Sequence, residues 1–401
     1  MQAYTIGATG LTEDRPMTSP ITARFPEPDA EALAVSESLT ARIRDAIDTS
    51  GGWLGFQRYM QMALYEPGLG YYSAGSAKFG VAGDFTTAPE ISEWLARSLA
   101  AFLSAELTAL QANSILELGA GTGALAAELM PELERRGHDS IDYAVLEPSA
   151  DLRERQQQGL AAANLSARWI DALPEASFRG VVLANEVADA LPVARFVKQG
   201  GRVLPLGLAV DRGRFEIVPG PEDSELAAAV AGIEADLGQA LADGYRSEVC
   251  LLLEPWLTEV LGSIAAGGML LIDYGMPRRD YYRAEQSDGT LICHYRQRAH
   301  ADYLRWPGLT DLSAWVDFSA VAAVGRKAGF RLGGYTTQAQ FLLDSIAGDS
   351  ALRERSPSPA EASALRRLVL PGEMGERFKL IWLTRGFEAA RLPGRDFRSW
   401  L

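Results

Sequence analysis

Between residues 114 and 184 short apolar runs alternate with helix-length amphipathic ones, and no other feature constrains the fold as strongly. The runs 114–118, 142–146, 167–170 and 181–184 have strand length, and helical segments over 124–136 and 150–162 separate the first three. Strand–helix–strand alternation predicts a parallel sheet with helices on both faces. The strands are apolar throughout, as in sheets covered on both sides. Runs at 249–253 and 269–273 are expected to resume the sheet, and late strands are expected near 330–335 and 378–383. The fold class is therefore α/β with a Rossmann-like core.

The run Glu117-Leu118-Gly119-Ala120-Gly121-Thr122-Gly123 sits where the first of these strands meets its helix. Glycines there permit a tight turn and close approach of a ligand to the backbone. The helix start adds free N–H groups and a positive dipole end. Gly119, Gly121 and Gly123, with Glu117, are the expected cofactor loop. The pattern leaves S-adenosylmethionine and NAD both open, because Gly119-x-Gly121-x-x-Ala124 also satisfies the dinucleotide fingerprint. Glu147 ends the second strand, where a carboxylate can accept both ribose hydroxyls of either cofactor. Asp171, after the third strand, is a candidate acceptor for an adenine amino group, with Trp169 or Ile170 packing on the ring. A solvated strand-end acid is the plainer reading of each.

The fourth strand runs into Asn185-Glu186-Val187-Ala188-Asp189. Ligands of open α/β sheets bind at the carboxyl ends of strands. Two carboxylates there suit a cationic acceptor, above all a guanidinium with its planar fork of donors. Glu186 and Asp189 are therefore the candidate catalytic pair.

Upstream, residues 31–110 read as three helices, the last over 90–110. The first thirty residues, with four prolines and mixed charge, read as a leader. They lack the arginine-rich, acid-poor character of a transit peptide and the apolar core of a secretory signal. A cytoplasmic location is expected. The division expected is leader 1–30, helical N-terminal lid 31–112, and core 113–401. That core carries a hairpin and acidic-helix insertion at about 200–247 and substrate-side elements at about 276–375. The chain has 401 residues and a formal net charge of -14, which disfavours binding to nucleic acid. No stretch is long and apolar enough for a membrane helix. Cys250 and Cys293 have no metal-type spacing, and His294 and His300 are six apart rather than four, so no metal is expected.

Taken together, the chain resembles the MidA-like family, the protein arginine methyltransferases that assist assembly of mitochondrial complex I, and their bacterial homologues. The resemblance rests on Phe56-x-x-Tyr59-Met60-x-x-Ala63-Leu64-Tyr65-x-Pro67, Gly70-Tyr71-Tyr72 and Gly83-Asp84-Phe85-Thr86-Thr87-Ala88-Pro89-Glu90-Ile91-Ser92. It continues through Leu116-Glu117-Leu118-Gly119, Ala184-Asn185-Glu186, Asp189-Ala190-Leu191-Pro192-Val193 and Ile272-Asp273-Tyr274-Gly275. Val316-Asp317-Phe318 and Met374-Gly375-Glu376-Arg377-Phe378-Lys379 complete it. It implies a seven-stranded class I methyltransferase core and S-adenosyl-L-methionine as cofactor. It also implies symmetric dimethylation of an arginine on a protein, in mitochondrial members a respiratory complex subunit. It implies that the 83–92 loop closes over cofactor and acceptor, which makes Asp84 and Thr86 candidate cofactor contacts. Capping of the next helix, from the Thr87-x-x-Glu90 pattern, is the plainer role of that loop. Ala120 and Val187 depart from the family pattern, and Val187 bears on the acceptor pocket.

Three other readings compete: a small-molecule methyltransferase, a cofactor-binding assembly chaperone with little turnover, and an NAD dehydrogenase. The sequence leaves the acceptor, the number of methyl groups and the oligomeric state open, a homodimer included.

Overall fold

The computed structural model describes residues 25–73 and 88–401. Helix α1 (Ala30–Thr49) is capped by Asp29, whose side chain accepts from the Ala32 N–H, and α2 (Phe56–Tyr65) follows after a turn. Their apolar stripes, Leu39, Ile43 and Ile47 with Tyr59, Met60 and Ala63, share one core. The helix expected over 90–110 is two: a short one (Ala88–Ile91) and α3 (Glu93–Leu110). Ser92 separates them, its extended backbone and hydroxyl capping the Trp94 N–H of α3.

Seven strands form the main sheet: β1 (Ser114–Leu118), β2 (Asp142–Leu146), β3 (Arg168–Ile170), β4 (Phe178–Asn185), β5 (Ile264–Met276), β6 (Arg331–Thr337) and β7 (Phe378–Arg385). Their order is β3-β2-β1-β4-β5-β7-β6, and the two-residue strand Val316–Asp317 pairs beside β5. Only β7 runs antiparallel to its neighbours; β1 to β5 are parallel. Chain order reverses between β1 and β4, so the crevice at the carboxyl ends of these two strands is the place for a ligand.

Alternate residues of each strand enter opposite cores, as the pleat requires. Ile115, Val181, Leu183, Leu270 and Ile272 join one core with α3, α4 (Ala124–Arg135) and the helix Gln338–Gly348. Leu116, Val182, Ala184, Met269 and Leu271 join the other, with the helices Leu253–Ser263 and Phe318–Lys327. Helix α3 thus belongs to the packing of the main sheet, while α1 and α2 pack elsewhere.

The strand expected over 249–253 does not enter the main sheet. Arg246–Val249 pairs instead with Ala194–Gln199, and Leu253 opens a helix whose Leu253, Leu257, Val260 and Leu261 are buried at helical spacing. An apolar run too short to show a period carries no signal to separate the two outcomes. The hairpin of Arg202–Asp211 and Arg214–Pro219 forms as expected, followed by the helix Ser224–Leu237. These strands make a second, five-stranded sheet, joined by Leu54–Gly55 just ahead of α2. A three-stranded sheet (Ile292–Tyr295, Arg298–His300 and Asp311–Ser313) packs its Cys293 and Leu312 into the core of α1 and α2. The N-terminal helices and these smaller sheets bring residues far apart in sequence to the crevice.

Candidate functional site

Gly119, Gly121 and Gly123 all have positive φ (59°, 55° and 82°), a region that side chains rarely adopt. Gly119 is further constrained by a neighbour: a Cβ there would lie 3.3 Å from Val187 Cγ2. The glycine loop and the turn after β4 are thus packed against each other. Gly123 caps α4 without any side-chain hydrogen bond, leaving the first N–H groups of that helix for a ligand. Thr122 donates to Glu90 Oε1 at 3.0 Å, tying the loop to the short helix after residue 87.

Glu117 is buried beneath this loop, accepting from the Tyr143 hydroxyl at 2.8 Å. Burial raises its carboxyl to about 7, against the Tyr143 bond that favours the charged form. Glu147 lies at the end of β2 and accepts from the Ser149 N–H (2.9 Å) and from Gln156 Nε2 (3.1 Å). Burial raises it too. Gln156 also donates to the Gly121 carbonyl (2.9 Å) and accepts from Trp169 Nε1 (2.9 Å). One amide therefore links the glycine loop, the acid of β2 and the ring after it. No motif pointed to Gln156; its spacing of four residues from Leu152 and from Leu160, the buried leucines of the helix Ala150–Ala162, is the one trace of it in the sequence. Asp171 sits at the rim, its side chain 88% exposed and paired with Arg153 at 2.7 Å. Asp84 and Thr86 lie outside the described residues, as does Thr87 of the expected cap.

The turn after β4 is acidic. Glu186 adopts φ 56°, rare for a side-chain-bearing residue, and accepts from Asn185 Nδ2 at 3.2 Å. Burial, then the nearby Asp189, raises its carboxyl to about 8. Asp189 is buried, and burial with the charges of Asp273 and Asp311 holds it well above the usual carboxylate range. Asp273, on β5, is fully buried and raised by burial and by Glu186. Asp311 comes from the three-stranded sheet; it accepts from the Tyr72 hydroxyl (3.1 Å) and from Ser313 Oγ (3.2 Å). Tyr72 stacks on Tyr65, whose hydroxyl donates to the Ala190 carbonyl at 2.9 Å. The structure thus joins Glu186 and Asp189 and adds Asp311 and the Tyr65–Tyr72 wall, which strand-end logic could not reach because they come from other layers.

Among the described residues Glu186, Asp189 and Asp273 form no salt bridge. Nor, among them, are three His, Cys, Asp or Glu side chains grouped to hold a metal. Buried acids short of counter-charge make a site that gains by admitting a cation. The Asn185 Oδ1, buried and without a partner among the described residues, is a further acceptor at the same place.

These residues suit S-adenosylmethionine. With no side-chain cap from Gly123, the N–H groups at the start of α4 have the chemistry to meet a carboxylate; Glu147 presents an acceptor carboxylate at the end of β2, and Trp169 an aromatic ring. The strand order, the antiparallel β7 and the glycine crevice define a class I methyltransferase. Residues 91–336 match the family described as "Putative S-adenosyl-L-methionine-dependent methyltransferase", and the chain belongs to it, within the MidA-like group. Its cofactor is S-adenosylmethionine. A methyltransferase-like protein from Burkholderia thailandensis, crystallised with S-adenosyl-homocysteine, is 41% identical. It superposes with TM-score 0.86 over 93% of this chain and 99% of that one. The mitochondrial protein arginine methyltransferase NDUFAF7 homolog of Drosophila melanogaster is 26% identical over 96% of this chain and 93% of its own length. The human NDUFAF7 protein is 27% identical over 83% and 80%. Among the described residues no helix is long and apolar enough to cross a membrane.

Proposed function

We propose that the chain is a protein arginine N-methyltransferase of the cytoplasm, symmetric dimethylation being the outcome in view. The observation that carries this reading is the buried acid group Glu186, Asp189 and Asp311 beside the glycine crevice, which favours a cationic acceptor. The names of the arginine methyltransferase relatives agree with it.

When bound, S-adenosylmethionine supplies an electrophilic methyl group on a positively charged sulfur. Glu186 and Asp189 grip the guanidinium by charge-assisted hydrogen bonds and aim one terminal nitrogen. That nitrogen donates its lone pair to the methyl carbon in an in-line displacement, and the pair of the broken C–S bond stays on sulfur. The proton that the methylated nitrogen sheds passes to the Glu186–Asp189 carboxylates or to water. Most of the acceleration comes from positioning. Asp84 and Thr86, with Glu117, Gly119, Gly121, Gly123, Glu147 and Asp171, are the residues we assign to the cofactor side.

The test is incubation with labelled S-adenosylmethionine and cell lysate, with respiratory complex subunits among the proteins followed. Mass spectrometry should then find dimethylarginine in a protein. Label confined to a small molecule would overturn the arginine assignment, and no label at all would point to a chaperone.

A further inference from the structure

We propose that Asp273 is the positioning residue of the acceptor grip, its carboxylate holding the backbone of residues 187–189 so that Glu186 and Asp189 are presented together. The proposal rests on those two residues contacting the acceptor.

Four consecutive N–H groups of the turn after β4 are captured by two consecutive residues of β5. The Glu186 N–H donates to the Ile272 carbonyl at 2.9 Å. The N–H groups of Val187, Ala188 and Asp189 all donate to Asp273 Oδ2, at 3.2, 2.9 and 3.3 Å. Asp273 Oδ1 accepts from the Tyr274 N–H at 2.8 Å. A fully buried carboxylate is costly unless it is hydrogen-bonded; here four N–H donors offset part of that cost, and burial still holds the carboxyl up at about 8.

What this arrangement maintains is a backbone that the local sequence does not favour. Glu186 sits at φ 56°, where a long side chain persists only if its surroundings over-determine it. The β5 clamp supplies that determination. It acts with the Ala314 N–H, which donates to the Asp189 carbonyl at 3.0 Å, and with Val187 seated against Gly119. Four of these contacts come from β5, and three of them end on one oxygen of Asp273. The groups that face this carboxylate electrostatically are Glu186, Asp189 and Tyr274.

The experiment compares D273A and D273N with the wild-type enzyme on a protein or peptide acceptor that the wild type methylates. D273A should lower kcat/KM for the acceptor by about a hundredfold, the scale of a small misplacement of a reacting group. Its affinity for S-adenosyl-homocysteine, measured by calorimetry, should stay within about twofold. D273N keeps an oxygen for the three N–H groups and should recover about tenfold of that loss. It also removes a carboxyl that titrates near 8 against Glu186 and Asp189, so the acid limb of its kcat/KM profile should move to lower pH. An unchanged kcat/KM in D273A, an equal loss of cofactor affinity, or an unmoved limb in D273N would each overturn the proposal. If D273A does not fold, the D273N profile decides alone. Amide proton shifts of Val187, Ala188 and Asp189 supply a readout without turnover: they should move upfield in D273N, and unmoved shifts would also overturn the proposal. A wild type that methylates no arginine would sink the proposed function and leave this shift comparison intact.

Discussion

The glycine loop and the acidic turn leave the sheet from adjacent strands, Leu118 lying opposite Ala184, yet they meet charge in opposite ways. The loop offers backbone N–H groups at a helix start, a positive end without side-chain commitment. The turn spends its own N–H groups on Asp273 and Ile272 and offers side-chain carboxylates instead. Val187 occupies the space that a Cβ at Gly119 would need, so the two segments lie side by side. The lesson is that one crevice can hold a ligand of mixed charge on one side and a cation on the other. Each half is made from backbone groups that the other uses differently.

The strongest way to break this comparison is Glu186→Gln. Loss of one charge from the grip should lower kcat by about a hundredfold or more while leaving cofactor affinity within about twofold. A radiometric assay with parallel calorimetry checks both, and equal losses would show that the two halves are not separable.

Next in size is the pH dependence of acceptor use. Glu186 stands at about 8 in the free protein, so at pH 7 most of it is protonated. A cation binds the ionised form, so kcat/KM for the acceptor should rise with pH and level off above about 8, by up to about tenfold per unit. Stability should run the other way. A carboxyl raised from near 4.5 to about 8 contributes stability that is complete below the lower value and lost as pH climbs through the higher one. Glu186→Gln should therefore raise Tm at pH 8 and not at pH 4, which calorimetry at the two pH values would show.

On the cofactor side the expected changes are smaller. Gln156→Ala removes the amide shared by Gly121, Glu147 and Trp169 and should weaken S-adenosyl-homocysteine by about tenfold with little change in kcat. Asp171→Ala should cost less than that, about twofold, because its carboxylate is a solvated partner of Arg153. A larger loss at Asp171 than at Gln156 would show that an adenine contact at Asp171 outweighs its exposure at the rim.

The glycine turn and the acid after β2 were legible in the sequence because they are local features. Gly119, Gly121 and Gly123 announce a strand-to-helix turn within seven residues, and Glu147 follows from its strand end. Gln156 was not legible: it belongs to the polar-rich helix Ala150–Ala162 and gains its role only by reaching three neighbours. On the acceptor side Glu186 and Asp189 could be read from position. Asp311 and Tyr72 could not, since a small sheet and the turn after α2, both outside the main core, deliver them. The run 249–253 failed for a related reason: four or five apolar residues fit a strand or a helix start equally well, and neighbours decide.

The α/β core, the glycine turn and the acids at the strand ends were already written in the chain. Each of these follows from periodicity, from backbone freedom or from the direction of parallel strands, which are properties of a few adjacent residues. Folding set which acids are buried together, that Asp273 holds the turn that carries Glu186, and that Val187 fills the space beside Gly119. Those outcomes depend on desolvation and on convergence of distant backbone groups, and neither exists until the sheet has closed around them.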